Sequence, residues 1–323
     1  MKQSRVLVFL ASLSLMLSPT VADAQESHKV APEQIADLIG VEYRPQNHEE
    51  DRASTRSTDA SDDRNVKLRT TAGDIELSIP TGTQNASKTA TSIGDRSVMF
   101  DQGDDTVATV TAYPDESMQI HSVILSPTAP HEFRYDISLP AEVAMSKNED
   151  GGIDFVDSKQ NFVAGIAPAW ARDAEGNRVS SEYDVVGDSI VQKVAPVSAD
   201  QYPVVADPFL GKHLFNNLWQ GEWNGDATFN GTVSPWGAVV MTGGGGVGGY
   251  VAGQAIMRDA GWKEWEAAFP DINSKASVRQ QYECHVLAGT LGLPFTDEYN
   301  LERARPDKGD WALTPHQHHC NWE

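Results

Sequence analysis

Between about Val66 and Asp207 the chain alternates apolar and polar residues. The segments "DIELSIP", "DTVATVTAYP", "QIHSVILS", "FRYDISLP", "GIDFVDS", "SEYDVVG" and "DSIVQKV" place apolar side chains at every second position, the period of a strand with one face on a core. Turn-forming stretches separate them, among them "NEDGG", "DSKQN", "DAEGN" and "VGD". Short strands at roughly ten-residue spacing, with no helical stretch between them, predict an antiparallel β domain over 66–207, a sandwich or a barrel.

Outside that region the period changes. "PEQIADLIG" reads as a short helix, with Pro32 in its first turn and Gly40 as its stop. Beyond residue 208, "GYVAGQAIMRDAGWKEWEAAF" and "SKASVRQQYECHVLAGTLG" read as helices. The second has Ser274 as cap and Val278, Tyr282 and Val286 on one face. Residues 208–323 are therefore expected to form a smaller α+β domain rich in Trp and Gly. Residues 25–65 hold the first helix and then "QNHEEDRASTRSTDASDDRN", which has no large apolar side chain and reads as a disordered acidic linker. Residues 1–24 have a basic start, the apolar run "VLVFLASLSLML" and a small-x-small end at Ala24, the pattern of a cleaved secretory leader. No transmembrane segment is expected after cleavage, and the expected location is secreted.

Charge narrows the partners. The 323-residue chain carries a formal charge of −21, and no basic cluster interrupts it. Such a chain repels nucleic acid and anionic lipid. Seven of the eight tryptophans lie beyond residue 208, a density found in binding surfaces and in cores alike.

The only cysteines are Cys284 and Cys320, and in an exported chain an even count predicts a bridge. That bridge would bring His285 close to His319, with His316 and His318 nearby. The alternative is a metal site built from the same cysteines and histidines, although its spacing fits no common zinc motif. "SKNEDGGIDFVD" imitates a calcium loop, but begins with Ser146 where aspartate is expected and has strand-like flanks, so a hairpin turn accounts for it better. The glycines of "MTGGGGVGGYVAGQAIM" satisfy a dinucleotide fingerprint by sheer abundance and suit close helix packing or membrane insertion instead. No cofactor is expected. Serine, zincin and thiol nucleophile motifs are missing. Glu302 with Asp307, Asp310 or Glu266, helped by His285, is what remains for acid/base chemistry.

"VRQQYECH", "YNLERARPD" and the closing "CNW" resemble a domain of unknown function at the C-terminus of secreted proteins from high-GC Gram-positive bacteria. The matching positions begin with Trp262, Gln281, Tyr282, Cys284 and His285. They continue through Asn300, Leu301, Glu302, Arg305, Pro306 and Asp307 to Cys320 and Asn321. Here "HQHH" precedes the last cysteine where that pattern has small apolar residues. The resemblance implies export and the bridge, and brings no activity. The expected role is non-catalytic binding to a cell-envelope component or an extracellular protein. Its rivals are membrane attack through the stretch from Trp236 to Met257 and hydrolysis by Glu302, Asp307 and His285.

Overall fold

The computed structural model describes residues 30–42, 64–82, 86–87, 89–242, 251–293 and 297–323. The leader, most of the acidic linker and the glycine run 243–250 lie outside them. Of the linker, Arg64 and Asn65 are described. Arg64 donates to Ser87 O at 2.9 Å and Pro80 O at 2.8 Å, and Asn65 opens the first strand, Asn65–Thr70.

The alternating segments form two antiparallel sheets. A five-stranded sheet runs in the order Asn65–Thr70, Gly73–Ser78, Glu132–Ser138, Ser189–Val194, Ser181–Val186. An eleven-stranded sheet is organised around Met118–Ile124, which pairs on one side with Thr106–Ala112. On its other side Val204–Ala206 and Phe209–Gly211 pair with it in succession. Asp207 and Pro208 interrupt that neighbour, because proline cannot donate to a ladder. The first piece continues the sheet toward Ala171–Arg172 and the second toward Phe162–Ile166. Alternate side chains of the two sheets, such as Leu68, Ile75 and Tyr135 from one and Phe100, Ile120 and Phe155 from the other, share one core. Helix α1 (Pro32–Leu38) covers the outer face of the large sheet, where Ile35 meets a cluster containing Val107 and Val123. Thr106–Ala112 is consequently buried along nearly its whole length, as strands covered on both faces are.

The C-terminal part adds a three-stranded antiparallel sheet, Phe215–Trp223, Asp226–Val233 and Glu298–Glu302. Its helices are α2 (Pro235–Thr242), α3 (Val251–Ile256), α4 (Trp262–Ala268), α5 (Ala276–Thr290) and α6 (Pro315–His318). α3 and α4 are one helix in sequence terms, joined by a π turn, Met257–Gly261. Ser274 does not cap α5; it lies in a 3-10 turn, and Lys275 takes the cap position without a side-chain bond. The second core gathers Phe215, Phe229, Trp265, Tyr282 and Tyr299, and also takes Ala167 and Phe209 from the large β sheet.

α2 and α3 are spent on packing. Trp236, Val240 and Met241 are buried, and a Cβ on Gly253 would stand 2.0 Å from Val240 O. No helix among the described residues is long and apolar enough to cross a membrane.

Candidate functional site

Cys284 on α5 is bonded to Cys320, with Cα atoms 5.4 Å apart. Trp322 and Ala288 complete a small buried cluster around the bridge, with Leu293 and Trp311 against it. The four sequence-flagged histidines fall into different surroundings. His285 is buried, its ring stacked on Tyr299 at 4.5 Å between centroids. His318 accepts the Cys320 N–H at Nδ1 (3.1 Å), so its proton sits on Nε2, 3.0 Å from Trp311 O. Burial pulls its pKa below the usual imidazole value. His316 and His319 are exposed. Among the described residues no three His, Cys, Asp or Glu side chains are grouped to hold a metal ion.

The acidic candidates are engaged in structure. Glu302 pairs with Arg305, whose guanidinium lies over the Trp223 ring at 4.5 Å and donates to Trp322 O. Trp322 in turn donates from Nε1 to Pro306 O at 2.7 Å. Asp307 is exposed, Asp310 pairs with Lys308, and Glu266 accepts from Trp262 Nε1 at 3.0 Å and Asn273 at 2.7 Å. Asp150 of the calcium-like stretch accepts from Gly253 N at 3.0 Å, tying the hairpin to α3. Asn148 bonds Asp154 and the turn backbone, so this stretch is a hairpin turn.

Of the seven C-terminal tryptophans, Trp236, Trp262, Trp265 and Trp322 are buried, Trp219 and Trp311 are half-buried, and Trp223 is 40% exposed. Most of this tryptophan density is therefore core, and its most exposed member, Trp223, lies on the Phe215–Trp223 strand. Asn224 and Gly225 close its hairpin, both at positive φ (51° and 76°), the two-residue turn that suits strand twist. Asn-Gly was the unread signal for this hairpin. Trp219, Gly221 and Trp223 share the face away from the core, since their partners Asn230, Thr228 and Asp226 alternate with core-facing Phe229. The far edge of this sheet is sealed: Gln281 donates to Glu302 O (3.0 Å) and accepts from Glu302 N (2.8 Å), imitating a neighbouring strand. No described strand pairs with the outer edge of Phe215–Trp223; at its start, Glu264 of α4 accepts from Phe215 N at 3.2 Å.

Residues 246–323 match the family model described as protein of unknown function, DUF2599. No curated protein and no solved structure matches the chain. Within the DUF2599 region the residues that carry the sequence pattern are joints. Gln281 seals a sheet edge, Cys284 and Cys320 form the bridge, His285 stacks on Tyr299, and Glu302 holds Arg305 against Trp223 and Trp322.

A cleft of about 570 Å³ opens where the large β sheet meets the DUF2599 helices. One wall comes from Asp154, Val156, Gln160 and Phe162; the other from the π turn and its flanking helices, including Ile256, Arg258, Asp259, Lys263 and Glu266, with Arg279 of α5. None of His285, Glu302 and Asp307 lines it. The π turn on its rim is held by α5, with Tyr282 donating to Met257 O and Arg279 to Arg258 O at 3.0 Å. Gly261 permits this: a Cβ there would stand 2.4 Å from the Tyr282 hydroxyl. Gly261→Ala is expected to displace Tyr282 and destabilise the fold by about 2 kcal/mol, measured as a lower urea midpoint.

Proposed function

We propose that this chain acts outside the cell as a non-catalytic interaction protein, its three-stranded sheet accepting an extended segment of an envelope or extracellular partner. One observation carries the reading: Phe215–Trp223 is nine residues long, lies at a sheet edge, and bears a single charged side chain, Glu222. Sheet edges are ordinarily protected by short length or charge, and the other edges of this fold are. Asn65–Thr70 carries Lys67 and Arg69, Ser181–Val186 carries Glu182 and Asp184, Val143–Lys147 ends on Lys147, Arg178–Val179 has two residues, and the uncharged Thr91–Gly94 has four and is packed by α1. An open, unguarded edge is a template for strand addition, with Trp219 and Trp223 available to clamp alternate side chains.

Export is supported by the leader-like start and by the bridge, which persists in oxidising surroundings. The resemblance to secreted proteins of high-GC Gram-positive bacteria points the same way. The partner segment is expected to be cationic, because the chain is strongly acidic and like charge would repel. A second copy is disfavoured on the same ground.

The test uses a peptide of alternating valine and lysine. Amide exchange in Phe215–Trp223 is expected to slow on its addition and Trp223 emission to shift. The double variant Asn217→Lys, Gln220→Lys, at two exposed positions, is expected to abolish both effects. Exchange rates unchanged at saturating peptide would sink the reading.

A further inference from the structure

The cleft beside the π turn carries uncompensated charge of both signs. On the helical side, Arg258 Nε lies 2.8 Å from Glu283 Oε2 and Arg279 Nη2 lies 2.5 Å from Glu283 Oε1. Two guanidiniums thus share one carboxylate, and one positive charge is left over. Lys263 is held 2.7 Å from Asn161 Oδ1, a neutral acceptor, so its charge is also unbalanced. On the facing strand the Asp154 carboxyl is bonded, among the described residues, to the neutral Asn148 amide at 2.8 Å. Asp259 projects from the π turn as an exposed carboxylate. Phe162 and Ile256, both half-buried, supply apolar surface in the same cleft.

Each simpler ligand class meets an objection. A polyanion would be set against Asp154, Asp259 and Glu266, and a polycation against Arg258, Lys263 and Arg279. A neutral ligand would strip water from charges of both signs and return nothing to them. A ligand with one charge of each sign and an apolar body satisfies all three surfaces. The volume lies within the range of about 300–1,000 Å³ typical of small-molecule sites, enough for two amino-acid residues. The π turn bears on this because its extra residue sets Arg258, Asp259 and Ala260 consecutively on the rim, where a regular helix would turn one of them away.

We propose that this cleft binds a short peptide with both ends free. Its carboxylate sits against the Arg258 and Arg279 guanidiniums, its ammonium against Asp154 and Asp259, and an apolar side chain against Phe162 and Ile256. A dipeptide is too short to add a strand to the sheet edge, so this site and the edge stand or fall separately.

Calorimetric titration of the full chain with Gly-Phe and Phe-Gly, each also as its N-acetyl and its C-terminal amide form, tests it. Saturable binding is expected for at least one free dipeptide, weakened at least about tenfold when either end is blocked. Asp259→Asn, at an exposed position outside the core, is expected to weaken the free dipeptide about tenfold and to leave the N-acetyl form unchanged. Equal binding of the free and blocked forms overturns the proposal, as does the lack of binding by any of them at millimolar concentration.

Discussion

Asp207→Asn is expected to stabilise the protein by roughly 4 kcal/mol more at about pH 9 than at about pH 5, and to leave it nearly unchanged at about pH 3. Asp207 stands at the break between two strand pieces and is fully buried between the sheets. Its Oδ1 accepts from Trp170 N at 2.9 Å and from Gln192 Nε2 at 3.0 Å. Oδ2 has no such bond among the described residues and lies beside the Tyr183 hydroxyl. Burial pushes the carboxyl up to about 8. The folded value is above the unfolded one, so the folded chain keeps a proton that the unfolded chain has already lost. The contribution of the Asp207 proton is therefore full at about pH 4 and below and is lost as pH rises toward about 8. Asparagine keeps the Oδ1 acceptor, offers an N–H to Tyr183, and removes the titration. His121 is unaffected: burial lowers it to about 4, so both proteins lose stability as pH falls from about 6.5 toward 4. Urea unfolding across this range is the measurement. Parallel pH profiles for the two proteins would show that Asp207 is not the buried acid described.

Why Asp207 escaped a reading of the sequence is physical. "VVADPFLG" looks like a loop between domains, because proline marks a break and aspartate a turn. Here the break lies inside the sheet and turns the carboxylate inward, and that follows only from Met118–Ile124 pairing with both pieces. Strand existence was legible where one face is wet: Glu132–Ser138 alternates exposed and buried without exception. The long hairpin Phe215–Val233 was less so, because Trp219 and Trp223 lie on the face away from the core and obscure the alternation. Only Asn224-Gly225 announced it.

The candidate site was legible in its covalent part alone. Two cysteines have one possible disulfide partner each, so once they pair, parity fixes the pair. The histidines offered no such arithmetic. His285 sits on a helix face under Tyr299, while His316, His318 and His319 follow α6 into left-handed turns at His319 and Cys320 (φ 48° and 65°). The cleft was invisible for a different reason: its walls come from residues about a hundred positions apart, and the π turn that shapes its rim has no periodicity distinct from that of a helix.

Replacing both half-cystines, Cys284→Ala with Cys320→Ala, is expected to destabilise the DUF2599 region by about 4 kcal/mol, the chain-entropy value for a loop closed across 36 positions. The loss should be local. The bridge, Trp322 and Ala288 form a cluster separate from the sandwich core, and the last residues are otherwise fastened by few bonds. Arg305 to Trp322 O, Trp322 Nε1 to Pro306 O and the two bonds of His318 are the main ones. Without the covalent link, a peptide of some twenty residues must hold its place by these and by the burial of one indole, worth about 2–3 kcal/mol. The unfolding curve should then separate into two transitions, with only the earlier one moved by the substitutions, and fast amide exchange should spread from α6 into the last turns of α5. Reductant should reproduce both effects in the wild-type chain and change nothing in the variant. Coincident single transitions for the two proteins would mean that the C-terminal segment is held by its packing and that the bridge contributes little. The Arg305 clamp on Trp322 and Trp223 would then be the joint to cut next, because it links the stapled end to the face of the open edge strand.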